Sequence, residues 1–246
     1  MFLLALERST RMGSVAAFKD GEFCAHRSFD DGAYIVAVVN ALLAEIEATP
    51  AMITYCAVGL GPGSFAGIRS VLAFVQGFTA SANIPIIGIS SVAAMAITEL
   101  KNREIFSHRG TEAQRDEKII INTKSNPSTI SSVPPCLCVK ESSDFPSSIQ
   151  KIGVIGDARR GHYWMAGYER QGNSLKETLP LRLIPYGQLS QFMMPDYCWI
   201  SPDTDRISEV NLQPITPDAR AVALLALDND FPKVTPPHPV YLHHAV

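Results

Sequence analysis

Apolar residues open the chain in three short runs, at residues 3–6, 14–18 and 22–28, and the pattern predicts three strands. The second and third meet at Lys19-Asp20-Gly21, where Asp-Gly favours a hairpin, so the three form an antiparallel meander. The period then changes. Ile35, Val38, Val39, Leu42, Leu43 and Ile46 recur at the spacing of one helix face with Glu45 and Glu47 away from it, which predicts a helix over 34–48. A strand at 54–60, a helix at 69–83, a strand at 85–89 and a helix at 90–100 follow. The order βββαβαβα calls for an α/β fold, a mixed sheet covered by helices.

Residues 101–150 lose this periodicity and crowd serines, prolines and charges around Asn126-Pro127-Ser128 and Val133-Pro134-Pro135. They read as an insertion or flexible loop between an N-terminal unit, 1–100, and a smaller second unit, 151–216. In that second unit 152–155 and 163–169 form a hairpin around the turn Asp157-Ala158-Arg159-Arg160-Gly161. Strands at 181–184 and 197–200 follow, then a helix at 217–228 that returns to complete the N-terminal unit and a tail at 229–246. No internal sequence repeat is visible.

Composition narrows the classes. With 246 residues and 46% hydrophobic content the chain buries a substantial core. A net charge of −3 gives no basic field, so tight independent binding to RNA is not expected. The 5 cysteines, at 24, 56, 136, 138 and 198, are odd in number and scattered, which suggests neither a disulfide framework nor a zinc site and fits a cytoplasmic protein. Cys136-Leu137-Cys138 has the wrong spacing for a common tetrahedral site. Glu7, Arg8 and Arg11 interrupt the first apolar run, which therefore reads as a strand and not as a secretory leader. No charge occurs between Arg69 and Glu99, but polar residues and Pro85 break that stretch into pieces too short to span a membrane.

The densest signal is Gly-Leu-Gly-Pro-Gly-Ser-Phe-Ala-Gly-Ile-Arg at 59–69, where four glycines sit between a strand and a helix. Such a turn brings bare backbone close to something, as a phosphate-binding loop does, or makes a sharp bend. Ser9, Thr10, Gly61, Gly63, Ser64 and Gly67 are the candidate phosphate or nucleotide-loop residues.

This loop, Glu7-Arg8-Ser9-Thr10, 84–91 and Asp157-Ala158-Arg159-Arg160-Gly161, in that order, resemble the TsaB (YeaZ) family of transfer RNA threonylcarbamoyladenosine biosynthesis. The resemblance is close over 2–98, resumes at 152–169, and is suggestive at Thr216-Pro217-Asp218-Ala219-Arg220 and Pro239-Val240-Tyr241-Leu242. It implies a duplicated fold of the actin, sugar-kinase and Hsp70 type with a degraded second half. It also implies a noncatalytic subunit that pairs with and activates a TsaD-like catalytic subunit, with a TsaE-like ATPase. ATP and magnesium are then expected at those partners, no cofactor is held tightly here, and transfer RNA is met only through the complex. When alone, the chain is open to homodimer formation. The alternative is an independent ATP-dependent kinase or metallopeptidase of the same fold.

Two departures from the family stand out, Glu7 where relatives usually have aspartate and Ala66 where they usually have threonine. In kinases of this superfamily the carboxylate on the first strand holds magnesium; the longer glutamate displaces such a ligand, and capping the hairpin through Ser9, Thr10 and Arg8 is the preferred role. The paired histidines with which TsaD holds metal have no counterpart among the 6 histidines. Ser64 lies in Gly-Pro-Gly-Ser-Phe, which is no nucleophile elbow. Arg159 and Arg160 suit phosphate or a partner's surface, with a structural turn at an interface preferred.

Along the predicted helix 69–83, Val71, Leu72, Phe74, Val75, Phe78 and Ala82 fall on a broad core-facing arc. Ala73, Gly77 and Ala80 gather on the other side, where a monomer's helix normally carries charge. Small residues let another helix approach closely. Arg69, Ala73, Gln76, Gly77 and Ala80 are therefore the candidate contact with a TsaD-like partner or a second copy, unless the face packs within the same unit.

Overall fold

A computed structural model describes residues 1–30, 32–112, 150–172 and 174–242, with the backbone alone described at 103–112. The first lobe is built from β1 (Phe2–Glu7), β2 (Gly13–Lys19), β3 (Glu22–Phe29), α1 (Ile35–Glu45), β4 (Tyr55–Gly59), α2 (Phe65–Ala80), β5 (Ile86–Ile89) and α3 (Ser91–Glu112). The strand order is β3-β2-β1-β4-β5. β1 to β3 are antiparallel neighbours, while β4 and β5 run parallel to β1. Every residue of β1 is buried, the apolar run Phe2 to Leu6 as a central strand requires and Glu7 with it, whereas edge strand β3 exposes Glu22, Arg27 and Ser28.

The second lobe contains β6 (Lys151–Arg159), β7 (His162–Gln171), β8 (Ser174–Pro185), β9 (Cys198–Ser201) and β10 (Gln213–Pro214), followed by α4 (Ala219–Leu227). Its order, β10-β9-β6-β7-β8, repeats the first. Three strands pair antiparallel, and the fourth and fifth add in parallel on the other side of the first. This is the duplicated layout of the actin-like fold, carried by topology where the residues themselves have diverged. The positions of α1 and α2 are taken in the second lobe by a single 3-10 turn at Leu189–Gln191 and by loop, which makes that lobe smaller.

The helices that end the two halves are exchanged. α3 packs on β6 and β7, α4 packs on β1, β2, β4 and β5, and the two helices touch. Both open with small residues, Ser-Val-Ala-Ala-Met-Ala and Ala-Arg-Ala-Val-Ala, so they approach closely. One buried cluster therefore joins Leu3 and Phe18 of the first lobe to Met95, Val222 and Trp164. A second lies on the far face of the first sheet, where Leu4, Leu6 and Val58 meet Leu42 of α1 and Ile68, Val71 and Val75 of α2.

Several boundaries differ from the sequence expectation. α2 starts at Phe65, not at residue 69, because Ser64 caps it by accepting a 3.2 Å hydrogen bond from the Gly67 amide. It ends at Ala80, so Ala82 lies beyond it and is exposed, and Gly67, Ile68 and Thr79 take places on the buried stripe. The helix expected to stop at 100 continues to Glu112. Most of the expected insertion, Cys136 and Cys138 included, lies outside the described residues. Asp157 and Ala158 extend β6 instead of forming the turn, and β8 begins seven residues earlier than expected, its polar Lys176-Glu177-Thr178 and Pro180 masking an edge strand. No helix among the described residues is long and apolar enough to cross a membrane.

After α4 the chain returns to the first lobe. Val234 exchanges two backbone hydrogen bonds with Gly88, of 2.9 and 3.0 Å, and the Val240 amide donates to the Leu60 carbonyl at 2.9 Å. The Tyr241 ring ends 5.6 Å from that of Phe65 at the start of α2.

Candidate functional site

Two surfaces collect the candidate residues. The first is a cleft of about 820 Å³ bordered by both lobes. Ser9, Thr10, Gly63 and Ser64 line one wall, and Arg159 and Arg160 line the other. Gly61 and Gly67 are not part of the lining; both are buried behind it.

The glycines do bring backbone close to something, and it is the chain's own preceding turn. A β-carbon on Gly63 would collide with the Ser9 carbonyl oxygen, and one on Gly67 with that of Arg8. Three amides of this loop and first helical turn are engaged by the chain itself: Ser64 N–H donates to Ser9 O at 2.6 Å, Gly61 N–H to Ser91 Oγ at 2.9 Å, and Gly67 N–H to Ser64 Oγ. Carbonyl oxygens facing the loop also carry the wrong polarity for an anion.

Glu7 stands behind this turn, fully buried and absent from the cleft lining. Its carboxylate accepts from the Ser9 amide at 2.6 Å and from the Ser91 hydroxyl at 2.8 Å. Burial pushes its pKa above the ordinary carboxylate value, against the lowering effect of those hydrogen bonds. A carboxylate so enclosed, with both oxygens engaged by the chain, does not fit the magnesium ligand found at this strand end in kinases of the superfamily. The capping role expected through Ser9 is present, and the Arg8 backbone also hydrogen-bonds the Glu7 carboxyl; the Thr10 hydroxyl turns elsewhere, donating to Met12 O at 2.9 Å, and the Arg8 side chain donates to Ser70 Oγ at 3.1 Å. Ser91, which ends the 84–91 segment, looks in the sequence like an ordinary helix-start serine until the fold carries it back to β1.

On the opposite wall, Asp157 accepts from Tyr186 at 2.7 Å and lies 3.2 Å from the Arg159 guanidinium and 3.7 Å from that of Arg206. Arg159 is thus held by a neighbour's carboxylate, while Arg160 is exposed beside it. Arg159 and Arg160 both have left-handed backbone, with φ of 63° and 52°, ahead of Gly161 at 79°. Asp203 adds a further carboxylate, its pKa raised mainly by burial. With Asp157, Asp203, Asp205 and the arginines intermixed, the wall carries no basic patch.

The second surface is the outer side of α2. Arg69, Ala73, Gln76, Gly77 and Ala80 are all exposed, while Val71, Leu72 and Val75 on the other side are buried. A β-carbon on Gly77 would meet nothing within 4 Å. Neither α1 nor any other described element covers this face, so the small residues serve no helix contact within the lobe. At its upper end Arg69 stacks over the Phe65 ring at 4.9 Å, and Phe65 and Tyr241 are 54% and 57% exposed. α1 packs beside α2 and leaves Tyr34 and Val36 exposed. A helix taken to begin at Arg69 leaves Phe65 off this face, and the ring of Tyr241 reaches it only through the tertiary fold.

Comparison with known proteins adds relatives to this geometry. A model of the TsaD family, tRNA N6-adenosine threonylcarbamoyltransferase, matches residues 32–107. The tRNA threonylcarbamoyladenosine biosynthesis protein TsaB of Escherichia coli is 33% identical over 99 residues, 39% of this chain and 43% of that protein. Its Haemophilus influenzae counterpart is 34% identical over 97 residues, 38% of this chain and 41% of that protein. The chain thus spans less than half the length of the curated relatives it matches. Among solved structures, YeaZ from Pseudomonas aeruginosa superposes with a TM-score of 0.65 at 18% identity, over 98% of this chain and 99% of that one. A second structure, described as an uncharacterized protein with similarity to peptidase YEAZ from Pseudomonas aeruginosa, gives 0.64 at 18% identity over the same shares. At that identity the two structures speak for the fold alone.

Proposed function

We propose that this chain, which belongs to the TsaB (YeaZ) family, is a noncatalytic assembly subunit in the formation of N6-threonylcarbamoyladenosine at position 37 of transfer RNAs. It pairs with a TsaD-like catalytic subunit and holds it in an active arrangement, with a TsaE-like ATPase supporting turnover. Threonylcarbamoyl transfer to the adenine amine takes place on the TsaD-like partner, and transfer RNA is met through the complex.

The observation that carries this reading is the bare outer face of α2. Ala73, Gly77 and Ala80 are exposed on a helix whose other side buries Ile68, Val71, Leu72 and Val75, and such a face suits close approach by a second helix. The enclosed Glu7 supports the noncatalytic part, because the first-strand carboxylate is committed to the interior. The test is co-elution with the TsaD-like protein of the same organism, followed by a transfer RNA modification assay with and without this chain. Co-elution together with modification that depends on this chain is the expected outcome. Full modification in its absence, or ATP-dependent transfer by the chain alone, would overturn the reading.

A further inference from the structure

We infer that Glu7 is a positioning residue for the partner face: its buried carboxylate, acting through Ser9 and Ser91, fixes the turn from which α2 springs. The inference rests on the reading of α2 given above and deepens it.

The connection is continuous. Glu7 accepts from the Ser9 amide, and the Ser9 carbonyl accepts from the Ser64 amide at 2.6 Å. Ser64 then caps the first turn of α2 through Gly67. On the other side Glu7 accepts from Ser91, whose hydroxyl accepts from the Gly61 amide, while the Ser91 amide donates to the Gly61 carbonyl at 3.1 Å. Both ends of the loop 61–64 are thereby referred to one carboxylate. Gly59 leaves room for it, since a β-carbon there would strike the Glu7 carboxyl.

The chemistry makes mere packing an insufficient account. A fully buried carboxylate is costly to desolvate, and an apolar side chain would fill the same volume at less cost. What the carboxylate supplies is two acceptor oxygens of fixed separation, able to hold an amide and a hydroxyl at once. Glutamine keeps both contacts with the second reversed: its oxygen accepts from the Ser9 amide and its amino group donates to Ser91 Oγ, which has a second lone pair for the Gly61 amide. Alanine retains neither contact.

The experiment compares Glu7→Gln, Glu7→Ala and Ser91→Ala in the full chain, with Ala73→Trp as the control for the partner face. Affinity for the TsaD-like protein is measured by titration calorimetry, and amide hydrogen exchange is followed at Gly61, Ser64 and Gly67. Glu7→Ala and Ser91→Ala are expected to weaken binding about tenfold, as loss of a buried hydrogen bond would. They are also expected to speed exchange at those three amides while α1 and α4 stay protected. Glu7→Gln is expected to restore both readouts, which a nonspecific loss of stability would not allow. Should Glu7→Ala fail to fold, Ser91→Ala, which removes the hydroxyl bridge between Glu7 and Gly61 and leaves the Ser9 contact in place, decides. Unchanged exchange at the three amides overturns the inference, as does wild-type affinity in Ser91→Ala when Ala73→Trp has abolished binding. Wild-type binding by Ala73→Trp removes α2 from the interface, and both the partner reading and this inference fall, with exchange alone then showing whether the turn is held by Glu7.

Discussion

Gly63 and Ser9 approach so closely that the Ser9 carbonyl oxygen occupies the space a side chain at Gly63 would need. The glycines of the 59–69 turn thus answer to their own chain, and their separate surroundings give opposite expectations for one substitution. Gly63→Ala must push two backbone segments apart and is expected to cost about 1–3 kcal/mol. Gly77→Ala, in mid-helix with open space around it, is expected to stabilise by about 0.5–1 kcal/mol. Urea unfolding of both variants checks this; equal effects would show that backbone crowding does not set the glycine at 63.

Glu7 has a pH signature. Burial raises its folded-state pKa above the ordinary carboxylate value of 4.5, so the native state binds this proton more tightly than the unfolded chain does. Its contribution is therefore most favourable in acid and declines as pH rises from about 4.5 through the folded-state value. Glu7→Gln removes the titration. The variant is expected to be at least as stable as the parent at neutral pH, with a flatter stability profile above pH 4.5. A large loss at neutral pH would mean that the charged form is the preferred one.

Asp218 behaves in the opposite sense. Burial would raise its carboxyl, but His26 at 3.3 Å and Arg220 at 2.8 Å outweigh burial and hold the pKa well below the ordinary aspartate value of 3.8. Its stabilisation is present above that value and is lost as pH falls through the folded-state pKa. It also caps α4 by accepting from the Arg220 amide at 2.7 Å. Asp218→Ala is expected to cost about 1–2 kcal/mol at neutral pH, with the gap between variant and parent closing in strong acid. Chemical denaturation across pH reads both quantities.

The tip of the β6–β7 hairpin stores strain in two arginines with left-handed backbone. Arg160→Gly relieves one of them and is expected to raise stability by about 0.5–1 kcal/mol, as the melting temperature will show. If partner or RNA contact is what retains arginine there, the same variant loses affinity in the assembled complex while gaining stability alone. Wild-type behaviour in the complex would leave the turn without a binding role.

Much of the first lobe is legible in the sequence because its strands are apolar runs and α1 shows a clear helical period. The second lobe is harder to read. Lys176-Glu177-Thr178 hides an edge strand because one side of it faces water, and two-residue β10 is too short to leave a pattern. The duplication is invisible in the residues because strand order is a property of pairing, not of local preference. The α2 face was legible, since Ala73 and Gly77 contrast with Val71 and Val75 within a few residues. The start of α2 was not: Ala66 and Gly67 read as loop, while the cap that decides the boundary is the single serine at 64. The role of Ser91 was not legible because it depends on a partner 84 residues away.

The return of α4 and of residues 234–241 to the first lobe has a consequence during synthesis. The sheet is complete once β5 has emerged from the ribosome, yet one of its faces awaits α4, about 130 residues later. At roughly 5–20 residues per second the nascent chain leaves that face uncovered for on the order of ten seconds. Leu3, Ala5, Ala16 and Phe18 are exposed for that interval, so premature termination anywhere before residue 219 yields a sheet with one bare apolar side, a substrate for chaperones and proteases.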